Sequence, residues 1–375
     1  MSDATNLPIV FDKTTTVRSY LEQSGILRLM KTEGVTEIAI NRPGEIATEG
    51  SSGWTRHLVP ECTLPMLEKL GNALCVLNGK HITRDDPIQN IVLPDGERGQ
   101  VLFYPACEEN TVSITIRIPS KMRLTMDDYE SFGAFDSFVD ESYRAGGMSN
   151  ARLTSEDAEL LDPQFEDVSF HTHVPRNVHL LPHEHELLAA LKGRKVRQLL
   201  EGAIKHKLNI VFVGGTGSGK TTLMKAMADL VDPNARIGTI EDTHELPLPN
   251  QWNKVHMFYS AKLPAQEIVK STLRMKFDRV YLAELRGAEA WDYMGLLNTG
   301  HEGGMTSIHA NGPREVFPRI ATLVKQSEAG RGLDYDFILR EAKTTVDLVL
   351  FMHRKKLTRI FYDPVEKFLL QNGMK

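Results

Sequence analysis

The stretch from Gly214 to Thr222 has the residue types and spacing of a phosphate-binding loop. It reads Gly-Gly-Thr-Gly-Ser-Gly-Lys-Thr-Thr, and residues 214–221 match the pattern GxxxxGK[ST]. Glycines allow the backbone to curl so that successive N–H groups face an anion. The N-terminus of the helix that follows adds its partial positive charge. The pattern therefore predicts a binding site for the phosphates of a nucleotide.

The side chains of this loop have separate expected roles. Lys220 can reach the β- and γ-phosphates, Thr221 can ligate Mg²⁺, and Thr222 would lie near the α-phosphate. The expected cofactors are ATP and Mg²⁺. The expected nucleotide-binding residues are Gly214, Gly215, Thr216, Gly217, Ser218, Gly219, Lys220, Thr221 and Thr222.

Three later buried-strand candidates each end in polar residues suited to nucleotide chemistry. Because ligands of open α/β sheets bind outside the carboxyl ends of the strands, we expect these residues to lie near the phosphate loop. The segments and their polar residues are Ile237–Ile240 with Glu241 and Asp242, Val280–Ala283 with Glu284, and Met305–Ile308 with His309.

The two glutamates are candidates for work on the metal and on the attacking water. Glu284 follows the run Val-Tyr-Leu-Ala, the pattern of a Walker B strand, and a carboxylate there can orient Mg²⁺ through water or polarise the attacking water. We assign water activation to Glu284 and the position beside it, at the metal and water, to Glu241; these roles are exchangeable. His309 can sense the γ-phosphate through a hydrogen bond, and we rank it above His301 because it directly follows a strand.

The elements that must hold these residues indicate a doubly wound α/β sheet. Leu208–Val213 is a continuous apolar run of the kind found inside parallel sheets, and Val346–Met352 is a further buried-strand candidate. Residues 186–206 have the spacing of one amphipathic helix, and helical segments separate most of the strands. This alternation predicts an α/β domain over residues 186–375.

The preceding residues divide into a smaller domain and a linker. Residues 1–135 indicate a mixed α+β domain: positions 64–79 have helical spacing, and Val112–Ile118 alternates between apolar and polar residues, as a half-buried strand does. Residues 136–185 are polar and poorly periodic, which is typical of an interdomain linker.

The composition narrows the classes of function. The 375 residues carry 44 Lys and Arg against 49 Asp and Glu, a net charge of −5, so tight binding to nucleic acid is not expected. The three cysteines form no CxxC pair, which disfavours a disulfide scaffold or a four-cysteine zinc site. The chain shows no signal-peptide pattern and no apolar run of the ~20 residues that span a bilayer. We therefore expect a cytoplasmic protein that can associate peripherally with a membrane.

Four motifs occur in a fixed order between residues 214 and 311. They are Gly214–Thr222, Thr239–Thr243, Ala283–Ala290, and Asn298–Gly303 followed by Ile308–Asn311. In these motifs the chain resembles the secretion traffic ATPases, and most closely the VirB-type ATPases of bacterial type IV secretion systems. The resemblance implies a RecA-like C-terminal ATPase domain, a smaller sensor-like N-terminal domain, and a homohexameric ring at the cytoplasmic face of the inner membrane.

The resemblance also assigns three arginines. It implies that Arg98 and Arg117 reach the terminal phosphates from the N-terminal domain and that Arg274 supplies further positive charge near the nucleotide. Arg117 lies on the non-core face of its predicted strand, which agrees with this role because a guanidinium there is available to phosphate oxygens.

The function implied by the resemblance is hydrolysis of Mg-ATP by a hexamer that, with other secretion-system subunits, powers substrate export and pilus biogenesis. ATPases of tight-adherence, type II and type IV pilus assembly systems remain alternatives, as does a nucleic-acid translocase on the same core. The eight positions from His301 to His309 favour the type IV branch. Ala283 and the pair Lys276-Phe277 stand where the family usually has Gly and Arg-Pro.

Overall fold

The computed structural model of the chain describes residues 12–50, 53–118, 123–142, 178–260 and 262–373. Within it the chain divides into two compact units, with the boundary between residues 121 and 122. The first eleven residues and positions 143–177 of the predicted linker lie outside the described residues.

The N-terminal unit is built around one antiparallel sheet. Its strands are β1 (Glu37–Ile40), β2 (Glu45–Gly50), β3 (Gly53–Leu58), β4 (Ile88–Val92), β5 (Arg98–Leu102) and β6 (Ser113–Arg117). They lie in the order β3-β2-β1-β6-β5-β4. Its helices are α1 (Thr15–Gln23), α2 (Ile26–Met30) and α3 (Leu64–Leu77).

The alternation read from the sequence around β6 is present in the structure. Ile114 and Ile116 are completely buried, whereas Arg117 is exposed. The two isoleucines join β1 and α3 side chains in the core of this unit. Because successive strand residues face opposite sides of a sheet, this core fixes Arg117 on the outer face.

The C-terminal unit holds an eight-stranded sheet. Its strands are β7 (Val139–Asp140), β8 (Ile210–Val213), β9 (Ile237–Glu241), β10 (Lys254–Phe258), β11 (Arg279–Leu282), β12 (Met305–Ile308), β13 (Leu348–His353) and β14 (Lys356–Tyr362). Their order is β10-β9-β11-β12-β8-β13-β14-β7. The pairs from β10 to β13 are parallel, β14 runs antiparallel to β13, and β7 runs parallel to β14.

Helices cover both faces of this sheet. They are α4 (Met126–Ser131), α5 (Pro182–Lys192), α6 (Val196–Lys205), α7 (Lys220–Ala228), α8 (Ala265–Thr272), α9 (Glu289–Leu297), α10 (Val316–Gln326), α11 (Glu328–Arg331), α12 (Tyr335–Thr345) and α13 (Pro364–Gln371). Along β8, Ile210 and Phe212 belong to one apolar cluster, and Val211 and Val213 belong to another. A strand buried on both faces needs an unbroken apolar run, and the predicted doubly wound α/β fold is confirmed.

The single helix expected over residues 186–206 is wrong. The segment forms α5 and α6, which are separated by a turn in which Arg194 has a positive φ of 54°. The Arg194 guanidinium lies 4.1 Å from the centroid of the Phe138 ring and donates a hydrogen bond to the Phe138 carbonyl. This tertiary contact accompanies a backbone conformation that is unfavourable for a non-glycine residue.

The described unit boundary also differs from the expected domain limit at residue 135. Met126, Tyr129, Phe135 and Phe138 are buried in the same apolar cluster as side chains of α5 and α6. Residues 123–135 therefore pack with the C-terminal unit, because their apolar side chains find their partners there. The α5 helix likewise begins inside the segment expected as linker.

Among the residues that the structure describes, no helix is both long and apolar enough to cross a bilayer.

Candidate functional site

The phosphate loop connects β8 to α7 and depends on glycines for its shape. Gly214, Gly217 and Gly219 have φ values of 141°, 70° and 101°. L-residues rarely adopt this region, whereas glycine enters it at no steric cost. The loop therefore curls immediately before Lys220, the first residue of α7. This is the strand–loop–helix context that the sequence motif predicts.

The β13–β14 hairpin packs directly on the loop. The N–H of Lys355 donates to the Ser218 carbonyl oxygen at 2.8 Å. A Cβ atom on Gly219 would lie 3.1 Å from the Lys355 Cα, and a Cβ on Gly214 would overlap the Met352 carbonyl oxygen. The glycines are thus required twice, once for backbone conformation and once for this close approach.

The interior of the loop fits a bound phosphate chain. The Lys220 side chain is 8% exposed, and its Nζ donates to the carbonyl oxygens of Gly214 and Gly215 at 2.7 and 2.8 Å. The buried Ser218 Oγ has no hydrogen-bond partner among the described residues. A buried hydroxyl without a partner is costly, and a phosphate oxygen would satisfy it.

The remaining polar side chains of the loop face more open surroundings. Thr216 is exposed, while Thr221 and Thr222 are half-buried in the first turn of α7. A hydroxyl at the start of this helix, next to Lys220, can ligate Mg²⁺ held by phosphate oxygens. The donor set of the loop is therefore compatible with Mg-ATP.

Glu284 lies just beyond β11 and contacts His309, the residue just beyond β12. The distance from Glu284 Oε1 to His309 Nε2 is 3.3 Å, and Glu284 Oε2 accepts from Arg286 Nη2 at 2.8 Å. Burial raises the pKa of Glu284, but the hydrogen bond from Arg286 and the nearby charges of Arg286, His309 and Lys220 outweigh it. The pKa of Glu284 therefore lies below its ordinary value, and the group is a carboxylate at neutral pH.

Arg286 and Asp242 complete this cluster. Asp242 was expected near the loop as a strand-end residue, whereas Arg286 was not predicted as a site residue. Arg286 Nη1 donates to Asp242 Oδ2 at 2.7 Å, so one guanidinium bridges Asp242 and Glu284. The hydrogen bond to Glu284 raises the pKa of Arg286 further. The available signal was the short spacing from Glu284 to Arg286, which leaves both residues in one strand-end turn.

Glu241 occupies a different environment from the one expected. Its side chain is completely buried at the end of β9. Its Oε1 accepts from the Thr239 hydroxyl at 2.7 Å, and its Oε2 accepts from the backbone N–H groups of Glu245 and Leu246 at 2.7 and 2.8 Å. The structure thus places Asp242, rather than Glu241, in the hydrogen-bonded cluster with Glu284. Adjacent residues at a strand end face opposite sides, which explains the difference.

The pKa of Glu241 is also lowered. Burial raises it, but hydrogen bonds from His256, Thr239 and the two backbone N–H groups of the following turn outweigh that effect. This carboxylate is therefore ionised and holds the turn after β9 in place.

Two further candidates of the C-terminal unit form no described contact with the cluster of Glu284, Arg286 and His309. Arg274 is exposed in the turn after α8, where its N–H donates to the Ser271 carbonyl. His301 is half-buried before β12, and its Nδ1 has no partner among the described residues. His309, by contrast, contacts Glu284.

The two arginines of the N-terminal unit are neighbours. Arg98 begins β5 and lies directly opposite Arg117, the last residue of β6. Like charges on facing positions of an antiparallel pair repel each other, and guanidinium groups bind anionic oxygens well. On its other side Arg117 lies opposite Glu37 of β1, whose charge it partly balances.

Comparison with known proteins gives a consistent result over nearly the whole chain. Residues 182–359 match the family model described as type II/IV secretion system protein. The chain is 36% identical over 349 residues to the type IV secretion system protein VirB11 of Brucella suis, covering 89% of this chain and 87% of the relative.

Solved structures show the same similarity. The crystal structure of the VirB11 ATPase from the Brucella suis type IV secretion system, in complex with sulphate, has 34% identity and a TM-score of 0.51, and the match covers 96% of this chain and 98% of that chain. The pilus retraction motor PilT with bound ADP has a TM-score of 0.54 at 13% identity, covering 93% of this chain and 85% of that chain. The second similarity concerns the fold alone.

Proposed function

The chain belongs to the VirB11 family of type IV secretion ATPases, and from this premise we propose that it hydrolyses Mg-ATP to power substrate export and pilus biogenesis by a type IV secretion system. The observation that carries the proposal is the cluster of Glu284, Arg286 and His309 at the same edge of the RecA-like sheet as the phosphate loop. Lys220 is close enough to Glu284 to influence its pKa.

Each residue of the proposed site has a separate role in the reaction. The loop N–H groups and Lys220 hold the phosphates, and Glu284 accepts a proton from, or orients, the attacking water. His309 contacts the same carboxylate and is placed to hydrogen-bond a terminal phosphate oxygen. Mg²⁺, with Thr221 as a protein ligand, supplies neutralisation of phosphate charge when it is bound. Catalysis of this kind requires positioning and charge stabilisation rather than a covalent intermediate.

Arginines outside this cluster complete the proposed site. Arg98 and Arg117 face each other on neighbouring strands, and guanidinium groups are well suited to bind terminal phosphate oxygens. An arginine that reaches the nucleotide only in one domain arrangement would couple hydrolysis to domain movement and hence to mechanical work. We propose Arg274 as a further positive charge near the nucleotide because the family resemblance assigns it that role.

The assembly is part of the same proposal. We assign the chain to a homohexamer that associates peripherally with the cytoplasmic face of the inner membrane and contacts other secretion-system subunits. The relatives with which it shares most of its length are named as type IV secretion system proteins. A mass measurement with and without ATP tests ring formation, and a monomer under both conditions would contradict it.

The decisive experiment replaces the loop lysine. We expect Lys220→Ala to reduce phosphate release from ATP by at least about 100-fold, because one cation that stabilises transition-state charge contributes this much or more. Lys205→Ala, at an exposed lysine on α6, is the matched control and should hydrolyse ATP at the wild-type rate. Melting temperatures show whether both variants are folded. Unchanged turnover in the folded Lys220 variant would refute the assignment.

The same assay separates the secretion motor from a nucleic-acid translocase. A translocase is stimulated by single- or double-stranded DNA at physiological salt, and the net charge of −5 argues against such binding. We therefore expect equal ATPase rates with and without DNA.

A further inference from the structure

Two histidines surround the buried carboxylate of Glu241. The Nδ1 atoms of His244 and His256 each lie 3.6 Å from Glu241 Oε1. One possible ligand atom from each of the three residues lies within 4.8 Å of the other two. The two imidazole rings meet edge to face, with centroids 4.4 Å apart.

Three elements fix this cluster from different directions. Glu241 ends β9, and its Oε2 is held by the backbone N–H groups of the turn that follows. His256 lies on β10 directly opposite Thr239, and its Nδ1 is 2.8 Å from the Thr239 hydroxyl. His244 lies in the turn itself. Because a strand pair and a braced turn position all three groups, the cluster exists without a ligand to assemble it.

We propose that Glu241, His244 and His256 form a binding site for one Zn²⁺ ion. Zinc prefers imidazole nitrogen and carboxylate oxygen at about 2.0–2.2 Å in a tetrahedral arrangement, which places ligand atoms about 3.4 Å apart. The two separations of 3.6 Å are close to this value. His244 is 47% exposed, so the ion has a path of entry and water can supply a fourth ligand.

The electrostatics of the cluster favour a dication. Glu241 is completely buried, and the Nδ1 atoms of both histidines lie within 4 Å of its carboxylate. Zn²⁺ binds imidazoles whose coordinating nitrogen is unprotonated. Binding therefore selects the tautomers with Nε2–H: a neutral imidazole transfers its proton from Nδ1 to Nε2, whereas an imidazolium releases its Nδ1 proton to solvent.

The site is separate from the groups proposed to act on ATP, although it is next to them. His244 is two residues beyond Asp242, which shares Arg286 with Glu284. An ion at the cluster would brace the turn that carries Asp242. The existence of the site does not depend on ATP hydrolysis, so its test uses metal binding as the readout.

The test titrates the full-length chain with Zn²⁺ alone and with Co²⁺ alone. We expect the wild type to bind one ion that His244→Ala binds at least about 100-fold more weakly, since removal of a direct ligand should cost at least as much as removal of an outer-shell partner. Co²⁺ should give the intense visible absorption of a tetrahedral site in the wild type and lose it in the variant. His244 is half exposed in a turn, so the variant is expected to fold.

A matched control addresses binding at other histidines. His183 stacks on His206 at a centroid distance of 4.4 Å and forms a second pair of imidazoles in the same unit. His183→Ala should bind Zn²⁺ as tightly as the wild type. Zn²⁺ should also raise the melting temperature of the wild type and of His183→Ala but not that of His244→Ala. Equal affinities in the wild type and His244→Ala, or loss of the tetrahedral Co²⁺ spectrum only in the control, would overturn the proposal.

Discussion

Arg286 controls the state of the carboxylate proposed as the water-activating group. Its guanidinium is shared between Glu284 and Asp242, and it lowers the pKa of Glu284 against the opposing effect of burial. A carboxylate that is tied to arginine is ionised and oriented, but it is also a weaker base than a free one. Arg286 therefore fixes the orientation of the Glu284 carboxylate and lowers its basicity.

Removal of Arg286 tests this balance. In Arg286→Ala the pKa of Glu284 should rise, because burial then acts without its main opposing contact. Glu284 works in the ionised form, so the acid limb of the kcat profile should move to higher pH. Loss of position should lower kcat at neutral pH by about 100-fold. Phosphate release measured from pH 5 to 9 checks both effects.

Two comparisons make that result specific. Arg286→Lys keeps a positive charge but not the two-armed bridge, so it should restore the acid limb and recover kcat only in part. Arg319→Ala, at an exposed arginine on α10, should leave the profile unchanged. An acid limb in Arg286→Ala identical to that of the wild type would show that this arginine does not tune Glu284.

At the same scale, sequence reasoning predicts residue types better than it predicts partners. Glu284 and His309 were expected at one strand edge and lie 3.3 Å apart. Glu241 was expected beside them, but its carboxylate holds the turn after β9. Which of two adjacent acids faces the ligand depends on the pleat at the strand end, and Asp242 proves to be the one that shares Arg286 with Glu284. A motif does not record that geometry.

At the scale of elements, the phosphate loop is shaped by a hairpin distant in sequence. The turn of the β13–β14 hairpin contains Arg354 and Lys355 with φ values of 48° and 65°. The Lys355 N–H bonds the loop at Ser218. The loop conformation therefore depends on tertiary contact as well as on its own glycines.

The close approach of β13 to the loop predicts the effect of one added methyl group. Gly214→Ala should lose ADP binding by at least about 100-fold, because φ is 141° there and a Cβ would overlap the Met352 carbonyl. Gly295→Ala is the control: nothing lies within 4 Å of a Cβ at this site on α9, and alanine should stabilise the helix by up to about 1 kcal/mol. ADP titration followed by thermal unfolding measures both. Normal ADP affinity in Gly214→Ala would contradict the steric argument.

The elements found from sequence share one physical property. Strands β8, β11 and β12 are buried at every position and are mainly apolar, with β8 wholly so, which is the pattern that a covered parallel sheet favours. Strand β10 escaped notice because it is an edge strand of half-buried residues. The break between α5 and α6 escaped notice because the contact of Arg194 with Phe138 joins residues far apart in sequence.

At the scale of the whole molecule, the two arginines proposed to reach the terminal phosphates and the phosphate loop belong to separate compact units. Arg98 and Arg117 belong to the N-terminal unit, and Lys220 belongs to the C-terminal unit. Each unit has its own apolar core. The sequence does not fix the boundary between the units, because the pattern of apolar and polar residues does not set residues 123–135 apart from their neighbours. Their packing partners assign them to the C-terminal unit.

The proposed role of the N-terminal arginines predicts a large effect on ATP hydrolysis and a small effect on nucleotide binding. We expect Arg117→Ala to lower kcat by about 1,000-fold, the smaller end of the contribution of an arginine finger, with ADP affinity reduced by less than about tenfold. Arg56→Ala, at an exposed arginine on β3 of the same sheet, should behave as the wild type. Phosphate release and ADP titration give the two readouts. Loss of ADP affinity in step with kcat would assign Arg117 to ground-state binding instead.

Strand β14 has a mechanical consequence for the phosphate loop. One end of this seven-residue strand follows the turn that holds Ser218, and its middle residues Arg359 and Ile360 pair with β7. Because a hydrogen-bonded strand is stiff along its length, a force applied to β7 would be transmitted along β14 to the phosphate loop. The same strand would therefore link mechanical force to the conformation of the loop.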